Sequence, residues 1–405
     1  MTRQTRRAFL AAAGAAGLAG CSSFTRKVAK SDDAGKASGS GAANVAVADD
    51  FESLDHWRAV ERQGSLSKST DAYEGPQCAR VTGSGETKEG HIVRSLSGAD
   101  LRGTNFSMAV KLTTHEQAKV AVELLAPDDE RKVVLKRTVL GPKDRWVRVN
   151  FGVTGRTDGA NLAQVRELRV VGRPLDPNAK RPVEFLVDDL RTVSSADTGY
   201  VTFTFDDSHA SHYRAFELME KYGFAGVEGV IPESVGNDDR LTEDRLSAMA
   251  KGGWDIAAHP NVGAQFFPEF SADDQKDLLV DARNYLESRG FDDGARHLLV
   301  PKNLLGPETF DLARRYYDTV FSFGGCPNAV PFEREDAIVS RVYGKDVEVV
   351  KEYVDYAAEY GQLVVPLFHE VGKDGDIGED EFESLLKYVK KQDVKVITAS
   401  DFLEL

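Results

Sequence analysis

Residues 201–208 read Val201-Thr202-Phe203-Thr204-Phe205-Asp206-Asp207-Ser208, a β-branched and aromatic run that ends in two adjacent carboxylates. Successive side chains of a strand point to opposite faces, so Asp206 and Asp207 should diverge from the carboxyl end of a strand. Two carboxylates in different surroundings suit a division of labour in which one binds a divalent metal and the other acts as a base. The structural alternative is that Asp207 or Ser208 only caps the next helix.

Three segments between residues 200 and 405 resemble motifs of one family. Residues 204–208 resemble the TFDDG signature of the polysaccharide deacetylases (NodB-like, carbohydrate esterase family 4), with Ser in place of Gly. The family's second motif, a strand ending in Ser-His-Thr-x-x-His, is similar to Trp254-Asp255-Ile256-Ala257-Ala258-His259. Its last motif, a buried strand ending in Leu-x-His, is similar to Val364-Val365-Pro366-Leu367-Phe368-His369.

The resemblance implies catalytic and substrate-binding roles for the matching residues. Asp206 would be the catalytic base and His369 the general acid. Leu367 would line the pocket for the acetyl methyl group. Pro301 is the only residue kept from the family's Arg-x-Pro-Tyr-Gly motif, and it would also line the substrate pocket. Lys302 is a candidate for the charge of the absent Arg, the alternative being an exposed loop lysine.

The resemblance also implies a divalent metal, usually zinc in this family. Asp207 and His259 would be two of its ligands, but the family's second His position is occupied by Gly263. His209 and His212 follow the Asp pair three residues apart, which places them on one face if a helix begins near Ser208. We predict His209 as the replacement third ligand, against the alternative of an exposed histidine at a helix start.

The function implied is metal-assisted removal of acetyl groups from N-acetylated amino sugars of a polysaccharide, which gives acetate and a free amino sugar. One alternative is a catalytically silent glycan-binding lipoprotein with a degenerate deacetylase domain. Another is a hydrolase with altered specificity. The polysaccharide is the expected partner in each case.

Residues 199–405 show alternating strand and helix patterns. Apolar spacing predicts a helix over Tyr213 to Tyr222, and Thr242 and Ser271 are placed to cap two further helices. Such alternation predicts parallel strands joined by right-handed helical crossovers. The resemblance implies that this sheet closes into a deformed (β/α) barrel with its active site at the carboxyl ends of the strands.

Residues 45–195 show short, partly alternating strands separated by Gly, Pro and Asp turns, which predicts an all-β sandwich. Its two ends resemble those of a jelly-roll carbohydrate-binding or galactose-binding-like module. That resemblance implies adjacent terminal strands and a structural calcium held by Asp50, Glu52 and Asp188; the alternative is that these acids are simply solvated. The polar segment 194–199 predicts that residues 197–405 can fold alone.

Residues 1–21 resemble a twin-arginine export signal with a lipobox. Arg6-Arg7 precedes an apolar run too short to span a bilayer, and Leu18-Ala19-Gly20 precedes Cys21. We therefore predict lipid attachment at Cys21 and anchoring to the outer face of the cell membrane, against the alternative of an ordinary cleavable signal. Residues 22–44 are polar and small, which predicts a flexible linker.

The chain carries a formal charge of −14, and removal of Arg3, Arg6 and Arg7 with the signal makes it three units more negative. This excess of acids disfavours nucleic acid as a partner. It also suits a halophilic protein, because high salt screens the self-repulsion. The remaining cysteines, Cys78 and Cys326, fall in different predicted domains, so we expect two buried thiols and no disulfide.

We predict that Cys21→Ser releases the protein into the medium, because the variant has no thiol to carry lipid. Immunoblots of membrane and medium fractions measure the change, with Ser22→Ala as a control that leaves the thiol in place. Replacing Arg6-Arg7 with two lysines should block export. Membrane fractionation that is the same for Cys21→Ser and the wild type would contradict the anchor.

Overall fold

The computed structural model describes residues 45–332, 338–372 and 376–403. The predicted signal, Cys21 and linker lie outside these ranges, so they stay predictions. These described residues belong to one compact unit. Within the described ranges no helix is both long and apolar enough to cross a membrane.

The first half of the described chain consists of twelve strands. They are β1 Val45–Asp49, β2 Trp57–Ala59, β3 Ser65–Ser69, β4 Cys78–Thr82, β5 Gly90–Ala99, β6 Thr104–Leu112, β7 Ala118–Leu125, β8 Lys132–Val139, β9 Val147–Phe151, β10 Val153–Arg156, β11 Val165–Pro174 and β12 Glu184–Ser194. One six-stranded sheet has the order β3-β4-β12-β6-β9, with β1 also paired to β12. The other has the order β10-β8-β7-β11-β5-β2. The terminal strands β1 and β12 are antiparallel neighbours, with Asp49 opposite Leu190, as the resemblance implied.

The second half alternates strands and helices. The strands are β13 Gly199–Val201, β14 Thr204–Phe205, β15 Val227–Val230, β16 Asp255–Ala258, β17 His297–Leu299, β18 Thr319–Phe323, β19 Asn328–Ala329, β20 Ile338–Tyr343, β21 Gln362–Val364, β22 Pro366–Phe368 and β23 Val394–Val396. The helices are α1 His212–Glu220, α2 Glu243–Lys251, α3 Ala272–Glu287, α4 Pro307–Tyr316, α5 Val347–Tyr360, α6 Glu379–Val389 and α7 Ala399–Phe402. Seven parallel strands form a closed barrel in the order β14-β15-β16-β17-β18-β20-β22.

The helix signals in the sequence are confirmed at two caps. The Thr242 side chain accepts a hydrogen bond from the Arg245 N–H, and Ser271 accepts one from Asp274. Each removes one of the unpaired N–H groups at a helix start. Strand β20 was not predicted, although it closes the barrel between β18 and β22.

A buried apolar cluster fills the barrel below the carboxyl ends of its strands. It takes one residue from each of five successive strands of the barrel, namely Val227, Ala257, Leu299, Phe321 and Val339. Side chains on one face of a strand recur every second residue. The next inward positions after Ala257 and Val339 are therefore His259 and Arg341, so the packing of the core sets the height of these two polar side chains.

The N-terminal sheets and the barrel share buried polar contacts. The Gln362 Nε2 donates to Asn105 Oδ1 (2.7 Å), and its Oε1 accepts from the Val153 N–H (3.0 Å). Asn150 makes two hydrogen bonds with the backbone of Ala329, at 2.6 and 2.9 Å. A fragment of residues 197–405 would lose these partners, so the interface makes independent folding of the barrel more costly than the polar segment 194–199 suggested.

We predict that Gln362→Ala lowers the free energy of unfolding by about 2–4 kcal/mol, because it leaves buried polar partners of the amide unpaired. Gln164→Ala is the matched control, since Gln164 is exposed and its loss should cost less than about 0.5 kcal/mol. Chemical denaturation of the full chain measures the free energy of unfolding of both variants. Equal losses for the two variants would show that the interface contributes nothing to stability.

Candidate active site

A cavity of about 310 Å³ opens at the carboxyl ends of the barrel strands. Its lining consists of Asp206, Asp207, Ile231, His259, Pro260, Asn261, Val262, Gly263, Pro301, Lys302, Asn303 and His369. Four predicted polar site residues, from β14, β16 and β22, therefore meet at one place. Its volume lies at the lower end of the range of about 300–1,000 Å³ that is usual for ligand pockets.

Asp206 is held by a buried arginine. Its Oδ1 accepts a hydrogen bond from Arg341 Nη1 (2.7 Å), and Arg341 has no exposed side-chain surface. The second guanidinium nitrogen, Nη2, donates to Asn303 Oδ1 (2.8 Å). Two partners fix the plane of the guanidinium, so the orientation of the Asp206 carboxylate is fixed as well.

Lys302 does not supply this charge and is exposed, which agrees with the alternative of a loop lysine. Its Nζ donates to the Gln265 carbonyl (2.8 Å) and lies 5.0 Å from the centre of the Phe266 ring. Arg341 takes the role because β20 passes beside the Asp pair. The sequence signal for this role was the single arginine within the run Ile338 to Tyr343. It could be recognised only if that run had been predicted to be a strand.

His369 is held by an acid that sequence reasoning missed. Asp376 Oδ2 lies 2.8 Å from the ring Nδ1 and also accepts the His369 backbone N–H (2.8 Å). An ionised carboxylate only accepts hydrogen bonds, so Nδ1 carries a proton and Nε2 is the nitrogen left for proton exchange. Asp376 is one of many acids in the chain, and nothing in the local sequence distinguishes it.

Both carboxylates of the Asp pair lie at the cavity in different surroundings, Asp206 beside Arg341 and Asp207 beside His259, as the sequence predicted. Asp207 has φ 76° and Ser208 has φ 57°, both in the left-handed region. Arg240 Nη1 donates to the Asp207 carbonyl, and Ser208 Oγ accepts from the Ile231 N–H, each at 3.0 Å. These contacts stabilise a turn that non-glycine residues adopt at a cost of roughly 1–3 kcal/mol each.

His259 has the orientation of a metal ligand. Its Nδ1 donates to the Leu299 carbonyl (2.9 Å), and its Nε2 lies 3.2 Å from Asp207 Oδ1. Such a carbonyl contact is the usual way in which a ligating imidazole is fixed. Burial alone would raise the pKa of Asp207, but the hydrogen bond and charge of His259 outweigh it and lower that pKa.

The residues at the cavity do not fit a zinc centre with three protein ligands. Gly263 offers no side chain, and a Cβ built there would meet no atom within 4 Å. His209 lies outside the cavity lining, with its Nδ1 3.4 Å from Glu370 Oε1. No group of three His, Cys, Asp or Glu residues within 45–332, 338–372 and 376–403 could hold a metal ion. The prediction of His209 as third ligand is therefore wrong, and Asp207 and His259 remain as a pair.

The predicted calcium set is not assembled either. The Asp188 carboxylate accepts the backbone N–H groups of Tyr73, Glu74 and Asp189, and burial raises its pKa to about 6. Asp50 Oδ1 accepts the Glu52 N–H (3.1 Å). These acids order loops through backbone hydrogen bonds, and the part of the chain that the structure describes contains no three-donor group here.

The predictions for Leu367 and for the two cysteines have different outcomes. Leu367 is buried but is not among the residues that line the cavity; Ile231 and Val262 supply apolar lining instead. Cys78 and Cys326 are free and buried, as predicted. Burial raises the pKa of the Cys78 thiol to about 11, which keeps it protonated and unreactive.

Comparison with known proteins gives one sequence relative. No protein-family model matches the chain. A 60-residue segment is 35% identical to YxkH of Bacillus subtilis (strain 168), a protein provisionally named as a polysaccharide deacetylase. The segment covers 15% of this chain and 22% of that protein, so the match spans about a fifth of the relative.

Solved structures are similar to parts of the chain, with low sequence identity and low TM-scores. The Xyl-CE4 domain of a multidomain xylanase from the hindgut metagenome of Trinervitermes trinervoides is 14% identical, with 51% of this chain and 90% of that chain covered and a TM-score of 0.37. A family 11 carbohydrate-binding module from Clostridium thermocellum is 14% identical, with 38% and 98% covered and a TM-score of 0.30. The catalytic interpretation therefore depends on the geometry of the site.

We predict that Gly263→His binds Zn²⁺ roughly tenfold or more tightly than the wild type, because it adds a third donor beside Asp207 and His259. Gly263 has φ +53°, so Gly263→Ala is the control that carries the same backbone strain without an imidazole. Titration calorimetry measures the affinities. Adding Asp207→Ala should remove the gain. Equal affinities of the His and Ala variants would show that this cavity is not a two-donor site.

Proposed function

We propose that this protein is a hydrolase that removes acetyl groups from N-acetylated amino sugars of a polysaccharide. One observation carries the proposal: an arginine-bound carboxylate, Asp206, and a carboxylate-bound imidazole, His369, line the same cavity. Amide hydrolysis needs a base for the attacking water and an acid for the leaving amine. Each of the two groups is fixed by a partner of its own, as acid–base catalysis at one bond requires.

The chain's own residues divide the work as follows. Asp206, oriented by Arg341, accepts a proton from water. His369 delivers a proton from Nε2 to the amine, with its ring orientation fixed by Asp376 at Nδ1. Ile231 and Val262 give the acetyl methyl group an apolar surface in the cavity.

A second candidate is the silent glycan-binding protein, and one observation favours it. Gly263 leaves Asp207 and His259 as the only pair of metal donors in the cavity lining described here besides the catalytic groups. A catalytic zinc normally has three protein ligands. A site with two donors therefore lacks part of the metal centre on which ordinary deacetylase turnover depends. The two candidates share a glycan partner and differ only in turnover.

The N-terminal residues support a proposal for the location of this activity. We propose that the protein is exported through the twin-arginine route and anchored by lipid at Cys21 on the outer face of the membrane. The linker of residues 22–44 then separates the lipid from the folded unit, which places the cavity within reach of extracellular or cell-surface polysaccharide.

We predict that the wild type releases acetate from N-acetylglucosamine oligomers and that Asp206→Asn lowers the rate by roughly 10²–10⁴-fold, the usual contribution of a positioned base. Asp318→Asn is the matched control, since Asp318 is a half-exposed partner of Arg296 away from the cavity lining. Acetate is quantified enzymatically, with and without added Zn²⁺. Glycan binding without acetate release in both conditions would favour the silent candidate.

A further inference from the structure

A buried histidine and glutamate lie directly behind His369, outside the cavity. His212, the first residue of α1, and Glu228, on β15, have no exposed side-chain surface. The His212 Nδ1 lies 3.0 Å from both Glu228 carboxylate oxygens, and its Nε2 lies 2.6 Å from the carbonyl oxygen of His369. Neither residue lines the cavity.

The hydrogen-bond chemistry fixes what this pair does at His369. A carbonyl oxygen only accepts hydrogen bonds, so Nε2 of His212 carries a proton and donates a hydrogen bond to the His369 carbonyl. The contact at Nδ1 needs one further proton, on either the imidazole or the carboxylate. In both arrangements the glutamate prevents the His212 ring from turning, and the Nε2–H keeps its direction.

The His369 segment is held from several sides. Its N–H and ring are bound by Asp376, while its carbonyl is bound by His212. The Ser211 hydroxyl accepts from the Val371 N–H (3.3 Å). The start of α1 thus contacts the segment after β22 at two positions, His369 and Val371, which sets where the His369 ring projects.

The surroundings argue against a purely stabilising role. The Phe205 ring lies 5.3 Å from the His212 ring and 5.5 Å from the Phe368 ring. Replacing a buried ionisable pair by apolar residues of similar volume is often neutral or stabilising. Apolar side chains would therefore stabilise this aromatic layer as well as the pair does, which leaves the hydrogen bond to His369 as the reason for the pair.

We propose that Glu228 and His212 are positioning residues for His369, acting through the His212 hydrogen bond to its carbonyl. The proposal rests on the deacetylase function only for its kinetic test. Glu228 orients His212, and His212 fixes the backbone of His369, while Asp376 fixes its ring. The pair touches neither substrate nor the reacting atoms.

The test compares variants that differ in this hydrogen bond. His212→Phe keeps the ring shape and removes the donor, so kcat should fall roughly tenfold or more while KM stays within about twofold. Glu228→Met leaves the His212 ring free to turn and should behave like His212→Phe. Glu228→Gln can still pair with Nδ1, so it should keep kcat within about threefold of the wild type.

The matched control is His91→Phe, because His91 is also buried and lies 2.8 Å from a glutamate, Glu89, but in the N-terminal sheets. It should leave kcat unchanged. Ring ¹⁵N and ¹³C signals of His369 in labelled protein give a readout that does not need turnover. They should shift in His212→Phe and Glu228→Met and stay unchanged in Glu228→Gln and His91→Phe.

The outcomes separate this proposal from the proposed function. If the wild type releases no acetate, the function fails and the His369 signals decide the positioning role. If His212→Phe unfolds, a slowly exchanging low-field Nε2–H resonance of His212 in the wild type supports the proposal, and its absence overturns it. Unshifted His369 signals in folded His212→Phe, or full loss of kcat in Glu228→Gln, would also overturn it.

Discussion

The buried contact between Asp206 and Arg341 is the interaction on which the site depends. Asp206 leaves β14 toward the barrel interior, and Arg341 reaches it from β20 with no exposed surface. A lone carboxylate in this position would be costly, and loss of one partner of a buried pair typically costs about 3–5 kcal/mol. The guanidinium also binds Asn303, so the same residue ties the base to the loop that forms the cavity wall.

Closure of the barrel makes that contact available. Strand β20 pairs in parallel with both β18 and β22, and Val339 lies in the buried apolar cluster two residues before Arg341. Apolar packing therefore sets the height at which a charged group meets the Asp pair. On the opposite side, β22 carries His369 to the same cavity, where Asp376 and the buried pair of Glu228 and His212 hold it.

The metal donors contrast with this well-held acid and base. Asp207 and His259 are correctly oriented toward each other, and His259 has the carbonyl contact typical of a ligating imidazole. Gly263 nevertheless leaves open space where a further donor would project. The site combines a fixed acid–base pair with an incomplete set of metal donors.

The sequence by itself identified Asp206, His259 and His369, because the segments that end at these residues resemble motifs of the polysaccharide deacetylases. It also determined the caps Thr242 and Ser271, because a cap is a local hydrogen bond. Local pattern sufficed for these caps, but it did not identify Asp376 as the partner of His369, although the two residues are only seven apart in the chain.

Only the tertiary structure decided which groups hold these residues. Arg341 and Asp206 are 135 residues apart, and His212 and His369 are 157 apart. Such contacts depend on which strands become neighbours when the barrel closes and on how turns re-aim side chains. A single sequence does not show which distant residues become neighbours, because those contacts are determined by the packing of the whole core.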